Sequence, residues 1–216
     1  MEQLDQIVKI IALTMGAAWA SGINLYAAIL VLGLLGATGN IVLPPDLQIL
    51  TTPIIIAAAG FMYVVEFITD KIPGVDTGWD TVHTFIRIPM GALLAAGAVG
   101  EINPVLALAA AIVGGGLTAG MHATKSGVRI LINTSPEPFS NWVASLSEDF
   151  VVIAGLWIAL NYPWVFVVML IILILLMIWI LPKIWRGIKA LFGHLKRLFG
   201  GVKAEPTQSS ETIKES

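Results

Sequence analysis

From Trp164 to Leu181 the chain runs eighteen residues without a charge, a glycine or a proline. A helix of that length rises about 27 Å, close to the roughly 30 Å hydrocarbon core of a bilayer. Five further segments, about 7–36, 52–69, 79–100, 104–124 and 141–161, are also apolar enough to cross, and 163–182 bounds the sixth. Backbone amides find no water in hydrocarbon, so segments of this length must close their hydrogen bonds as helices. The sequence predicts an all-α, polytopic transmembrane helix bundle of about six helices over residues 1–182. Composition agrees: 57% of the chain is hydrophobic and 12% charged, about half the charge of a soluble domain. A net charge of −2 leaves no basic face for nucleic acid. The absence of cysteine excludes disulfides and thiolate metal sites.

Three segments carry special marks. Ala18-Trp19-Ala20 mimics a cleavage site, yet Glu2 and Asp5 precede it and the apolar run continues to Gly36. It reads as a retained first helix rather than a signal peptide. Ser21-Gly22-Ile23-Asn24 interrupts that helix at its middle, which predicts a break or a strong tilt. In the fourth segment, Ala107 to Gly120 is almost all alanine and glycine, with Gly116 and Gly120 four apart. Small residues let backbones approach, so this helix belongs inside the bundle.

Lysine and arginine set the orientation. Lys183, Arg186, Lys189, Lys196 and Arg197 mark the C-terminal side as cytoplasmic, and Lys71, Lys125 and Arg129 fall on the same side. Six crossings would put both termini there, with all 12 basic residues on or toward it. Ile184, Ile188, Leu191, Leu195 and Leu198 form an apolar stripe over 183–200, predicting a basic amphipathic helix in the interface, facing anionic lipids. The polar tail 201–216 has the composition of a disordered segment. Pro73 and Trp79 match Pro136 and Trp142 at an offset of 63, the mark of a duplicated helical hairpin or a coincidence.

The charges inside the bundle fall in helical stripes. Glu66 and Asp70 are one turn apart, and Asp80, His83 and Arg87 share a face. His122, Lys125 and Arg129 repeat that spacing, and Asn141, Ser145, Glu148 and Asp149 give the fifth helix a polar side. Asp76, Asn133 and Glu137 lie in the connections. From 66 to 149, leaving aside Glu101 on the far side, seven carboxylates face only Lys71, Arg87, Lys125 and Arg129. Unbalanced carboxylates must protonate or hold a cation. Asp80, His83, Glu148 and Asp149 are the candidate ligands of a divalent metal cation, though no metal motif fixes a geometry. Asn24, Tyr26, Glu66, Asp70, Asp76, Arg87, His122, Lys125, Arg129, Asn133, Glu137 and Asn141 are the candidate pathway. The alternative is a set of structural salt bridges at a wet rim. At the broken first helix, freed carbonyls lining a pathway compete with a local hydrogen bond.

Ser21-Gly22-Ile23-Asn24-Leu25-Tyr26, Glu66-Phe67-x-x-Asp70-Lys71-Ile72-Pro73-Gly74-Val75-Asp76, Trp79-Asp80-x-x-His83-Thr84 and Arg87 resemble one bacterial membrane family. Asn133-Thr134-Ser135-Pro136-Glu137-Pro138, Ser140-Asn141, Ser145 and Glu148-Asp149 fit the same pattern. It is known as domain of unknown function number 4126. The resemblance covers about residues 10–160, leaving helix six and the basic tail outside. It implies a small multi-pass protein of a bacterial cytoplasmic (inner) membrane, without an assigned activity.

Three functions fit. One is a transporter or channel for a cation, a metal ion or one coupled to protons. Another is a non-catalytic scaffold or accessory subunit, and a homo-oligomer is compatible with either. The third is a metal-dependent enzyme acting on a lipid or phosphorylated substrate, against which stands the lack of any phosphotransferase or hydrolase motif. The acidic excess favours the first.

Overall fold

Pro53, Pro104, Pro138 and Pro163 each open a helix, where the missing amide hydrogen has no intrahelical partner to lose and the fixed φ suits the first turn. The computed structural model describes residues 1–100, 103–134 and 138–199. Within them the order is α1 (Glu2–Ala37), a short 3-10 helix (Pro45–Thr51), α2 (Pro53–Thr69), α3 (Val75–Val99), α4 (Pro104–Ile132), α5 (Pro138–Asn161) and α6 (Pro163–Phe199), with no strand. Five helices are long and apolar enough to cross a membrane. The 3-10 helix and α2, bent by 67°, make a sixth candidate. The chain is a multi-pass membrane protein.

The main departure from expectation is α1. Its one non-helical residue is Asn24, at φ −146° and ψ 99°, and there the chain turns back. Along the first arm, 2–23, Asp5 accepts from Trp164 Nε1 at the start of α6. Ile7, Ile10 and Ile11 line a cavity with Val99 and Leu106, which flank the α3–α4 connection. Ile23, at the end of this arm, reaches Arg87 and Lys125. Along the second arm, 25–37, Gly33 approaches Leu50 and Ile56, and Gly36 approaches Leu43 and Thr51. The 3-10 helix seats Leu47 on Gly97 and Asp46 on Gly100, again at the end of α3. Both arms therefore finish near the α3–α4 connection, with Asn24 as the apex of a helical hairpin.

The all-helical bundle stands; the placement of both termini on one side does not. Segment 7–36 enters and returns, so the start of α1 lies at the end of the bundle opposite the end of α6. Lys9 is accordingly not on the basic side, and pairs with Asp5 one turn away at 2.7 Å. Apolar length could not reveal this, because a single residue makes the reversal.

Both sides of the break are capped. Asn24 Oδ1 accepts from the Ala27 amide at 2.9 Å, an N-cap for the second arm. The Ile23 carbonyl accepts from Arg87 Nη1 at 3.2 Å and Lys125 Nζ at 3.1 Å. By contrast, Pro89 and Pro182 lie inside continuous helices.

α4 does sit inside the bundle, but not through Gly116 and Gly120. Gly116 has nothing near it, and Gly120 meets Met177 of α6. The close approach uses Gly114 against Ala95 and Ala18, and Thr118 against Gly91 and Gly22, where any side chain would collide. Thr118 Oγ1 donates to the Ala18 carbonyl at 2.8 Å. Trp19 fills the other side, over Gly155 and edge-on to Phe166.

α6 also differs from expectation. The sixth crossing and the basic amphipathic segment form one unbroken helix to Phe199. Ile184 and Ile188 pack on Gly127 of α4, so this part of the stripe covers protein. The tail 201–216 lies outside the described residues. The helix ends at Thr69 and Ile132 and the starts at Val75 and Pro138 keep the offset of 63, in keeping with a duplicated hairpin.

Candidate functional site

Four helices bring their polar faces to the level of the α1 apex. Glu66, Asp70, Asp76, Asp80, Arg87, His122, Lys125, Arg129, Asn141 and Asp149 are all buried there. Ions taken out of water cost several kcal/mol each unless paired and hydrogen-bonded. Three of the four cations answer that cost by sharing carboxylates. Arg87 pairs with Glu66 and lies 3.3 Å from Asp80. Lys125 Nζ is 3.0 Å from Asp70, 3.3 Å from Glu66, 3.4 Å from Glu148 and 3.8 Å from Asp80. Arg129 is 2.7 Å from Glu148 and 3.4 Å from Asp70, and donates to the Asp70 carbonyl at 2.8 Å.

His122 is locked into this lattice. Its Nδ1 lies 3.3 Å from Arg87 Nη1, and a guanidinium only donates. Nδ1 therefore accepts, and Nε2 carries the hydrogen toward Thr84 Oγ1 at 2.7 Å and the Asp80 carbonyl at 3.1 Å. At the loop ends, Asn133 Nδ2 donates to both Asp76 carboxylate oxygens at 2.8 and 3.0 Å. Asn141 Nδ2 donates to Asn133 Oδ1 at 2.7 Å. These bonds join the first turns of α3 and α5 through the α4–α5 connection.

Asp149 is different. Its Oδ1 accepts from Asn24 Nδ2 at 3.0 Å, and the Tyr63 hydroxyl interacts with the same carboxyl. Its Oδ2 is buried without a hydrogen-bond partner. Among the described residues it makes no ion pair. Lys71, in the α2–α3 connection, bonds Ser145 Oγ at 3.3 Å and the Phe67 carbonyl at 2.8 Å, and lies over the Phe67 ring. Burial pushes its ammonium below the ordinary lysine range, against the pull of Asp149 and Asp70.

A family model described as Domain of unknown function (DUF4126) matches residues 11–183. The chain belongs to the DUF4126 family. The match extends into α6 as far as residue 183, beyond the region whose motifs carried the resemblance. No curated protein and no solved structure matches the chain.

In this DUF4126 chain the sequence-predicted residues separate into four groups. Glu66, Asp70, Asp76, Asp80, Arg87, His122, Lys125, Arg129, Asn133, Asn141 and Glu148 join one connected network, and Asn24 and Asp149 form a pair of their own. Tyr26 and His83 stand beside the network, edge-on to each other with ring centroids 5.9 Å apart. Glu137 lies outside the described residues. The four candidate metal ligands do not converge: no three His, Asp or Glu side chains among the described residues gather as a metal-holding group. His83 stacks on Trp79 and gives Nδ1–H to the Trp79 carbonyl at 2.9 Å. Asp80 and Glu148 are held by cations, and Asp149 by Asn24.

Sequence reasoning missed Tyr63, Thr84 and Ser126, whose Oγ donates to Asp80 at 3.2 Å. Each was within reach of helical spacing: Tyr63 lies three before Glu66, Thr84 four after Asp80, and Ser126 four after His122. Six described carboxylates face four cations here, and Glu66 Oε2, Asp70 Oδ1, Asp80 Oδ1 and Asp149 Oδ2 are buried without hydrogen-bond partners. Such a surplus of acceptors takes up protons or a cation and repels an anion.

Proposed function

We propose that this protein is a small transporter or channel of a bacterial cytoplasmic membrane that moves a cation with protons, and that Asp149 is the proton-taking group. The observation that carries the reading is a carboxylate held by Asn24 at the apex of the α1 hairpin, buried and without a paired cation. Ionisable groups at membrane depth serve function by default, because holding them there is costly. Protonation at Oδ2 removes the charge that Asn24 Nδ2 and Tyr63 now hold. It thereby alters the one contact that ties α5 to the apex through this asparagine. A cavity of about 210 Å³ between α4 and α5, lined by Ile23, Thr124, Lys125, Ser147 and Glu148, opens onto the neighbouring Lys125–Glu148 pair. With no metal-holding group among the described residues, the proton is favoured over a metal ion.

The test is flux. The full chain, reconstituted in liposomes with a trapped pH dye, should dissipate an imposed pH gradient faster than empty liposomes, and Asp149→Asn should abolish the excess. Wild-type flux equal to that of empty liposomes, with protons and with Na⁺ or K⁺ gradients alike, overturns the reading. The shared ion pairs around Arg87 favour a second reading, a scaffold whose charges serve assembly. In that case Asp149→Asn would leave the protein's partners in place and no flux would exist to lose.

A further inference from the structure

Where α6 leaves its uncharged stretch it meets α4 at Gly127 but leaves space beside that contact. Ala123, Ser126, Ile130, Pro182, Trp185 and Ile188 are among the residues that line a groove of about 660 Å³ between the two helices. The floor is set by Gly127, which lets Ile184 in so close that any side chain there would collide with it. The groove is almost wholly apolar, and such a groove beside a bilayer is filled by hydrocarbon. Its rim is not apolar. Lys189 follows Trp185 by four residues and lies over the Trp185 ring at 5.2 Å. Arg186 follows Pro182 by four and donates Nε–H to the Pro182 carbonyl at 3.3 Å. Trp185 and Pro182 both line the groove, so the two cations stand at its edge. Neither has a carboxylate partner among the described residues. This is the reverse of the buried network, where every lattice cation is shared.

We propose that this groove is a binding site for one anionic phospholipid. An acyl chain lies along Ala123, Ile130 and Ile188, and the head-group phosphate sits on Arg186 and Lys189. The occupant follows from two independent features. The apolar volume calls for a chain, and two unpaired cations at one edge call for an anion at the end of that chain. Trp185 spans both environments, its ring against the groove and its edge at the polar level, as tryptophan does at membrane interfaces. The site is separate from the proton reading. Its nearest link to the network is Ser126, which lines the groove and donates to Asp80.

Native mass spectrometry of the full chain in mild detergent, titrated in parallel with phosphatidylglycerol and phosphatidylcholine of the same acyl chains, tests this directly. One phosphatidylglycerol should be retained, about thirtyfold tighter than phosphatidylcholine, as two interfacial cations would give. Arg186→Gln with Lys189→Gln should bring the two lipids to within about threefold of each other. Ala123→Phe, which fills the groove from an exposed position on α4, should weaken retention of both lipids. Three results would each overturn the proposal: equal retention of the two lipids by the wild type, an unchanged preference in the double variant, or undiminished binding in Ala123→Phe. All three substituted positions are exposed, so a loss of binding cannot be put down to unfolding. None of these results depends on proton flux.

Discussion

Arg87 and Asp149 are both buried at the level of the α1 apex and are treated in opposite ways. Arg87 is wholly enclosed and meets two carboxylates, a histidine and the free carbonyl at the end of the first α1 arm. Asp149 meets one amide and a phenol and keeps an oxygen with no partner. The lattice cations each face two or more carboxylates, whereas this carboxylate has no ion pair among the described residues. The lattice of Arg87, Lys125 and Arg129 has the character of a fastening that holds α2, α3, α4 and α5 around the α1 apex. Asp149 has the character of a group left free to titrate. If that division is right, substitutions at the two sites should separate stability from activity.

The largest effect is expected at Arg87. Arg87→Met would leave Glu66 and Asp80 facing each other with Lys125 alone to compensate, and would take one of the two donors from the Ile23 carbonyl. Removing one partner from a buried pair costs about 3–5 kcal/mol. The variant should lose most of its folded yield in detergent, read as loss of a monodisperse peak and a lowered unfolding midpoint. A variant as stable as wild type would mean the lattice does not fasten the bundle.

Next comes Glu66→Gln. The amide keeps the shape but strips the charge that Arg87 and Lys125 both face, at 0% exposure of the Glu66 side chain. A buried charged group left short of its partner costs about 1–3 kcal/mol, so the unfolding midpoint should fall, though less than for Arg87→Met. A smaller loss, about 1 kcal/mol, is expected for Asn24→Ala, which removes the N-cap of the second arm. It also removes the donor to Asp149, so the pH dependence of flux should shift even where the protein remains folded. Asn24→Asp is the informative companion. It keeps the cap acceptor but sets a second carboxylate against Asp149, and should shift that pH dependence further.

How much of this could be read in the sequence follows from what each feature depends on. The bundle was legible because lipid forces every crossing into a long uncharged run, as in Trp164 to Leu181. The membership of the network was legible because helical spacing puts Asp80 and Arg87, or His122 and Arg129, on one face whatever lies opposite. The break at Asn24 was legible from Ser21-Gly22-Ile23-Asn24, but its consequence was not. A tilt, a kink and a full reversal share the same local sequence, and the reversal is decided by Leu47 reaching Gly97 and Asp46 reaching Gly100. Which carboxylate lacks a cation was equally hidden, since spacing along one helix says nothing about distances between helices. The proposed metal set failed for that reason: Asp80 and His83 share a helix face, yet the His83 ring turns to Trp79.

The smallest stability effect, and the sharpest test of the division, belongs to Asp149→Asn. It is the same chemical change as Glu66→Gln, a carboxylate exchanged for its amide at a buried site. In the lattice the exchange deprives two cations of a shared counter-charge. At Asp149 it breaks no ion pair: Asn24 Nδ2 can still donate to the new amide oxygen, and what is lost is the longer-range attraction to Lys71. Taking an unpaired charge out of a low-dielectric site relieves a cost rather than adding one, so the unfolding midpoint should hold or rise, within about 0.5 kcal/mol of wild type. Flux should nevertheless vanish. One substitution would then remove activity without loss of stability, while its chemical twin at Glu66 does the reverse damage. If Asp149→Asn instead destabilises as much as Glu66→Gln, the two sites are one fastening, and Asp149 is held by a partner that its neighbours only conceal.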